Sequence, residues 1–463
     1  MKIAFLTLGC KVNAYETEKM KTQFETEGYE IVSFSEKADV YVVNTCTVTN
    51  IADRKSRKML HRARRMNPDA VVVAAGCYVD SARQKGEEDE SVDLFIGNED
   101  KETMISMVEE LMEKKGIIHQ ENCPDHVMGE MSQKAEKELH TRAYIKIQNG
   151  CNQYCSYCII PYVRGKLESR SMEDILSETR KLAAAGFHEI VLTGIHLSSF
   201  GVDREFEKTD ANSFVKLQGK YLLELLLKMA QVSGIERLRL GSLEPRIITG
   251  EFVKKLVEIP EVCPHFHLSL QSGCDATLKR MNRHYSSQEY LQGVEILRKY
   301  FKDPAITTDI IVGFPGETEE EFKTTCDFAK KVSFAQIHVF KYSRRHGTVA
   351  DRMEDQVDEQ VKNSRSDRML AVEAELEKQY QQKFQGRIQK VLIEEPVLIG
   401  DAKYLVGYNE RYVRIAVRYE EGRCDESLCN SLIEVHINGS LDGDILLGTW
   451  ERACNLKKDI LLY

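Results

Sequence analysis

Asn149-Gly150-Cys151-Asn152-Gln153-Tyr154-Cys155-Ser156-Tyr157-Cys158 decides how the middle of this chain folds and what it holds. Three cysteines share one short loop, spaced C-x3-C-x2-C, directly after the β-rich run Tyr144–Gln148. A structural zinc site would want a fourth Cys or His. Three thiolates instead suit three irons of a 4Fe–4S cluster. The fourth iron is then open to an amine and a carboxylate, such as those of S-adenosylmethionine (SAM), whose S–C bond an electron from the cluster can cleave to an adenosyl radical. A loop at the carboxyl end of a strand is also where α/β barrels place their chemistry.

The alternation continues outward from this loop. Strands are expected at Tyr144–Gln148, Glu189–Thr193, Arg237–Leu240, His265–Leu270, Thr307–Val312 and Gln336–Phe340, with helices at Ser171–Ala185, Leu222–Val232, Ser287–Tyr300 and Thr318–Val332. Six βα units in about 200 residues fit a partial (βα)6 barrel better than a full eight-fold one of about 250. Upstream, strands Lys2–Thr7, Val40–Asn44, Ala70–Ala75 and Asp93–Ile96 alternate with helical Ala14–Glu27, Ile51–Arg65 and Glu102–Lys114, which predicts a parallel α/β sheet. A polar stretch over 120–140, with Pro124 and Gly129, reads as a linker, and the charged stretch Asp351–Phe384 as a helical connector. Beyond Gly386, short strands at Ile388–Ile393, Tyr404–Tyr408, Tyr412–Val417, Leu432–Ile437 and Asp444–Thr449 suggest a small β-barrel. The fold class is therefore α/β with three expected domains, over 1–120, 137–367 and 380–450.

Three further cysteines punctuate the N-terminal part. Cys10, Cys46 and Cys77 each follow a predicted strand, and their separations match a βαβ unit. Strands of a parallel sheet end on one side, so these thiols can converge at its carboxyl edge. Three small buried side chains would satisfy the same pattern.

Cys151–Arg170, with Ile159-Ile160-Pro161-Tyr162-Val163-Arg164-Gly165 and Ser169-Arg170, resembles the radical-SAM methylthiotransferase family. The resemblance covers nearly the whole chain. It implies an enzyme with SAM and two 4Fe–4S clusters, one on Cys151, Cys155 and Cys158 and a second, carrying an open iron or a sulfur chain, on Cys10, Cys46 and Cys77. These six cysteines are both the metal ligands and the catalytic set. The C-terminal barrel resembles the family's RNA-binding TRAM domain. Lys11-Val12-Asn13, directly after Cys10, is similar to the tRNA enzymes that act on N6-threonylcarbamoyladenosine. Enzymes for isopentenyl-adenosine usually read Gln-Met-Asn there, and those for a ribosomal-protein aspartate Pro-Lys-Asn. The implied reaction places a methylthio group on adenine C2 next to the anticodon. The implied partners are the tRNA anticodon loop, an electron-donor protein and a sulfur donor.

Strand-end residues are the candidates for SAM: Tyr157 in the loop, Thr193 and Gly194 after the second strand, Ser242 and Glu244 after the third, Ser269 and Gln271 after the fourth, and Ile311 and Gly313 after the fifth. Arg246 can grip a carboxylate, and Tyr342, Ser343 and Arg345 face the substrate or close the barrel. A strand-end polar residue or a helix cap would explain each position equally. His265 and His267, alternating on one strand, are expected to be core or hydrogen-bonded residues and not metal ligands, and Cys263, Cys274 and Cys326 small buried side chains.

Whole-chain composition excludes other classes. With 463 residues, 42% hydrophobic and 30% charged, the chain is no disordered polymer, and 28 Gly with 9 Pro exclude collagen-like repeats. Thirteen cysteines, an odd number, suit ligation in a reducing compartment better than a disulfide scaffold. No signal peptide or transmembrane run is legible, so a cytoplasmic, monomeric protein without a membrane partner is expected. The net charge of -9 hides a basic helix. Residues 51–70 hold seven Lys/Arg against two Asp, and Arg54, Arg57, Lys58, Arg62 and Arg65 are expected to contact RNA phosphate, as are Arg164, Arg411 and Arg414. The C-terminal region carries no such excess: 11 Lys/Arg against 13 Asp/Glu over 381–463. The rival class is a non-enzymatic zinc or RNA-binding module.

Overall fold

The computed structural model describes residues 1–86, 89–117, 141–204 and 219–453. The expected linker over 120–140, with Cys123, and also Cys454, lie outside the described residues.

The N-terminal sheet is built from β1 (Lys2–Thr7), β2 (Glu30–Val32), β3 (Val40–Thr45), β4 (Val71–Gly76) and β5 (Leu94–Ile96), ordered β2-β1-β3-β4-β5 and parallel throughout. The two central strands, β3 and β4, are buried along their whole length. Such strands need apolar side chains on both faces, which explains Val71-Val72-Val73-Ala74-Ala75. Helices α1 (Lys11–Thr26) and α4 (Met104–Lys114) cover one face, and α2 (Asn50–Met66) and α3 (Cys77–Lys85) the other. Strand β2 has no strong periodic signal in the sequence. Helix α1 begins at Lys11, three residues before the expected start, with no side-chain cap.

The central part contains six parallel strands: β6 (Arg142–Asn149), β8 (Glu189–Gly194), β9 (Arg237–Leu240), β10 (His265–His267), β11 (Ala305–Val312) and β12 (Gln336–Lys341). A two-residue antiparallel strand, β7 (Glu168–Ser169), borders β6. Single bridges, Leu238 to Val262 and Leu243 to Leu268, join the two halves, so the barrel is a partial one of six units. Helices α5 (Met172–Ala184), α6 (Lys220–Met229), α7 (Gly250–Leu256), α8 (Asp275–Arg280), α9 (Ser287–Tyr300) and α10 (Glu319–Val332) pack around one continuous apolar core. Helices α9 and α10 start in capping boxes, Ser286 with Glu289 and Thr318 with Glu321.

The fourth strand is shorter than expected. It ends at His267, and Gln271 takes a left-handed backbone (φ 68°). Tyr285 Oη and an Arg283 guanidinium donate to the Ser269 carbonyl, and beyond His267 only single bridges, Leu268 to Leu243 and Gln271 to Ile310, continue the pairing. Ser269 and Gln271 therefore lie beyond the regular strand, which corrects the expected range His265–Leu270.

The connector helix α11 (Glu359–Gln382) starts later than expected and leads into a closed barrel of β13 (Ile388–Ile399), β14 (Ala402–Asn409), β15 (Arg414–Arg418), β16 (Leu432–Asp442) and β17 (Ile445–Ala453). Strand β13 runs through Pro396 past a register shift between Ile393 and Glu395. Bulges and sheet edges are where a strand tolerates proline.

Candidate active site

Both cysteine triplets sit at the ends of parallel strands. Cys46 follows β3 and Cys77 opens α3 after β4, whereas Cys10 lies three residues beyond β1. Gly76 takes φ 92° there, a conformation that side chains resist, and a Cβ on Gly9 would lie 2.7 Å from Cys46 Cβ. Asn13 binds two strand ends together, donating to the carbonyls of Leu8 and Thr45 at 2.8 Å. Cys46 and Cys77 are buried and Cys10 is exposed. Burial pushes the Cys46 thiol up to about 11, and Cys77 and Cys10 raise it further, so the three sulfurs share one neighbourhood.

The second triplet occupies the loop after β6. Burial raises the Cys151 thiol to about 11 and the Cys158 thiol to about 12, with Cys155 adding to both. Arg283 donates to Cys155 Sγ at 3.2 Å and supplies positive charge where thiolates would gather. All six cysteines are free thiols. Among the described residues, the His, Cys, Asp and Glu side chains gathered tightly enough for a single metal ion are His267, Asp309 and His338. Neither cysteine triplet is packed that closely. Three thiols per site suit a cluster with one open iron, whereas a structural zinc ion wants a fourth Cys or His.

The other candidates for SAM divide. Thr193 is buried at the end of β8, Tyr157 packs edge-on against Phe314, and Ile311 joins the same apolar cluster. Ser242 is exposed. Glu244 is buried and accepts from Arg246 Nε at 2.7 Å, while Arg246 also reaches Gln153 in the cysteine loop. Gly194 approaches Gln148, whose Oε1 accepts the His196 amide. At Gly313 a Cβ would lie 2.4 Å from Lys362 Cγ, and its amide donates to Glu317. Sequence reasoning missed Arg283, Tyr285 and His196. Burial holds His196 neutral, its pKa lowered to about 3, and its buried Nε2 has no hydrogen-bond partner among the described residues. Only its place just beyond Thr193-Gly194 could have flagged it.

Three arginine assignments change. Arg164, expected on RNA, is buried between the two α/β parts. Its Nε donates to Cys77 Sγ at 3.2 Å, and its other nitrogens donate to Glu16, Asn13 and Asn149. Burial opposes its charge, but Cys77, Glu16 and Cys10 more than compensate and hold its pKa above the ordinary value. Glu16 also receives Lys101 and Lys146, at 2.5 and 2.6 Å. Arg411, expected on RNA, donates to the carbonyls of Lys302 and Asp303 and so docks the C-terminal barrel. Arg345, expected near substrate or as a barrel closure, is buried and pairs with Asp53 at 2.7 Å, also reaching the Thr47 carbonyl and Asn50. It ties the start of α2 to the end of the barrel.

The basic helix keeps its expected exposure. Arg54, Arg57, Lys58, Arg62 and Arg65 are exposed on α2 and make no ion pair among the described residues. Arg414 is half-buried on β15. Below the barrel, Arg237 and Arg239 reach the carbonyls of Lys390, Tyr408, Asn409 and Glu410, so the C-terminal barrel seals the lumen floor.

Comparison with known proteins agrees with this arrangement. Residues 145–329 match the radical SAM superfamily model, and residues 2–97 match a model described as uncharacterized protein family UPF0004. The threonylcarbamoyladenosine tRNA methylthiotransferase MtaB of Bacillus subtilis is 40% identical, over 90% of this chain and 91% of that protein. The MtaB of Aquifex aeolicus is 36% identical over 90% of this chain and its whole length. The tRNA-2-methylthio-N6-dimethylallyladenosine synthase of Finegoldia magna is 34% identical over 94% of this chain and 91% of that protein. Among solved structures, the radical SAM methyltransferase TsrM of Kitasatospora setae shares the fold at a TM-score of 0.50 and 15% identity, covering 73% of this chain and 74% of that one. Strand-end cysteine triplets, a six-unit barrel and relatives matched along almost their full length lead to one assignment: the chain belongs to the radical-SAM methylthiotransferase family.

Proposed function

We propose that this chain is the tRNA methylthiotransferase that places a methylthio group on C2 of N6-threonylcarbamoyladenosine, beside the anticodon. One observation carries the chemistry: Arg164, six residues beyond Cys158, donates to Cys77, so two separate thiol triplets lie across one joint. Cys151, Cys155 and Cys158 would hold one 4Fe–4S cluster and Cys10, Cys46 and Cys77 the other. When bound, the first cluster with SAM supplies radical activation of a C–H bond that acid–base chemistry does not reach, and the second supplies the sulfur site. The chain's own residues do the rest. Arg283 and Arg164 place positive charge against the thiolates, the Glu244–Arg246 pair steadies the cysteine loop through Gln153, and the C-terminal barrel closes the floor against water. The exposed cations of α2 take up RNA phosphate while the target base, unstacked from a single-stranded loop, enters the mouth.

The substrate follows from the relatives with the threonylcarbamoyl name, at 40% and 36% identity, together with Lys11-Val12-Asn13. An electron-donor protein, a sulfur donor, a monomeric state and a cytoplasmic site belong to this reading; no described helix is long and apolar enough to cross a membrane. Nucleoside mass spectrometry of tRNA from a deletion strain tests it. The 2-methylthio form of threonylcarbamoyladenosine should vanish and return with the wild-type gene. Cys155→Ala should abolish SAM cleavage, whereas Cys46→Ala should keep cleavage and lose thiolation. Loss of the isopentenyl counterpart alone would overturn the substrate.

A further inference from the structure

The barrel lumen contains a polar group set that the sulfur chemistry does not use. Lys11, the residue after Cys10, is solvent-exposed, and its Nζ lies 5.8 Å from the ring centroid of Tyr412, which rises from the lumen floor. Its surroundings are cationic. The guanidinium carbons of Arg142 and Arg239 lie 4.8 and 4.7 Å from the same ring. The carboxylates within this group are already taken: Glu189 by Arg239 and Arg237, and Glu394 by Arg142. Among the described residues Lys11 has no carboxylate partner.

A second wall faces this cation. His267, Asp309 and His338 stand on neighbouring strands β10, β11 and β12, with one ligand atom of each inside a 4.8 Å span. His267 Nε2 lies 3.3 Å from Asp309 Oδ2, its Nδ1 bonds Thr307 Oγ1 at 3.0 Å, and its ring stacks on the exposed His338. Burial, then His267 and Lys11, depress the pKa of His338 against the opposing pull of Asp309. Three such ligands could attract a divalent cation, but the lysine and the two arginines beside them oppose one. The combination of a free ammonium, a hydrogen-bond acceptor and two imidazoles suits an organic anion with its own donors.

The proposed substrate carries such a group. Its N6 substituent is a ureido-linked threonine, with a carboxylate, a hydroxyl and N–H donors, whereas a dimethylallyl substituent has none of these. N6 and C2 flank N1 on the same edge of adenine, so a base that presents C2 beside Cys10 presents its N6 substituent close by. Resting on the reading above, we propose that the lumen is the specificity pocket for this substituent: Lys11 pairs with the threonine carboxylate, and Asp309 and His338 take its hydroxyl and ureido groups. Selection then rests on charge pairing, because an apolar substituent gives neither the ammonium nor Asp309 a partner.

Equilibrium binding to the full-length, cluster-loaded protein tests this with three anticodon stem-loops, carrying threonylcarbamoyladenosine, its threonine methyl ester, or plain adenosine. The wild type should bind the free acid about tenfold or more tighter than the ester, the scale of one charge-assisted hydrogen bond. Lys11→Gln should bind acid and ester alike, and Lys11→Arg should recover part of the preference, with iron content and circular dichroism confirming that each variant is folded. A wild type indifferent to esterification overturns the proposal even if both variants misfold, and so does a Lys11→Gln protein that keeps the full preference. Failure of the substrate reading looks different: turnover would then methylthiolate a dimethylallyl-adenosine stem-loop and not the threonylcarbamoyl one.

Discussion

Glu189→Gln should loosen the C-terminal barrel from the lumen floor. Glu189 opens β8, is fully buried, and accepts from Arg239 Nε at 2.6 Å and Arg237 at 3.4 Å. Those arginines hold the carbonyls of the β13 and β14 segments, so the carboxylate is the counter-ion of the docking joint. Burial alone would raise its pKa, but Arg239, then Arg237 and Arg142, pull it down from 4.5 to about 2. At roughly 1.4 kcal/mol per pH unit, ionised Glu189 contributes about 3 kcal/mol. That agrees with the roughly 3–5 kcal/mol lost when one partner of a buried ion pair is removed. Trp450 is the only tryptophan and lies on β17, so its fluorescence in urea reports on this barrel. The variant should be destabilised by about 3 kcal/mol at pH 7. Because the folded-state pKa is the depressed one, the contribution is complete above about 4.5 and is lost as pH falls toward about 2. The gap between wild type and variant should therefore be constant from pH 7 to 5.5 and close below 4.5. A gap under about 1 kcal/mol at pH 7, or one unchanged at pH 3, would refute the reasoning.

Three other outcomes are expected. Gly76→Ala puts a Cβ 2.8 Å from Asn44 Oδ1 and 3.0 Å from the Thr45 carbonyl at φ 92°, so it should cost about 2 kcal/mol or more in urea denaturation and lower iron content by weakening the first triplet. Arg345→Ala strands Asp53 and the Thr47 carbonyl, and hydrogen exchange should speed up at the start of α2 by the equivalent of roughly 3 kcal/mol. Arg57→Gln and Arg62→Gln should each flatten the dependence of log Kd on log salt by about 0.7–0.9, equally for threonylcarbamoyl and unmodified stem-loops; an unchanged slope would remove α2 from the RNA path.

Local physics made most elements legible. Valine-rich runs gave β3 and β4, and helical spacing gave α9 and α10 to within a residue of their starts. What failed was mostly long-range. Arg164 reads as a phosphate ligand because its partners Asn13 and Glu16 are about 150 residues away in sequence. Arg411 misleads for the same reason, since its acceptors are carbonyls of residues 302 and 303, which no charge count registers. Glu394-Glu395-Pro396 looks like a strand end, yet barrel closure carries β13 on to Ile399. Lys11 was legible as a motif letter but not as a lumen cation, because only the fold brings Tyr412 beneath it.

The arginine joints also bear on how two distant cysteine triplets can serve one base. Arg164 lies six residues beyond Cys158, and four of the intervening residues form a helical turn over Ile160–Val163. Two extended residues and four helical ones span at most about 13 Å. Arg164 ends that span with its Nε 3.2 Å from Cys77 Sγ, inside a buried network with Glu16, Lys101 and Lys146. The segment that follows the second triplet is thus clamped onto the first. The separation of the two sites is set by a short covalent tether and a buried ion cluster, and not by the exposed surfaces of two independent parts. The two thiol sites are therefore held side by side by the fold itself, whatever the substrate.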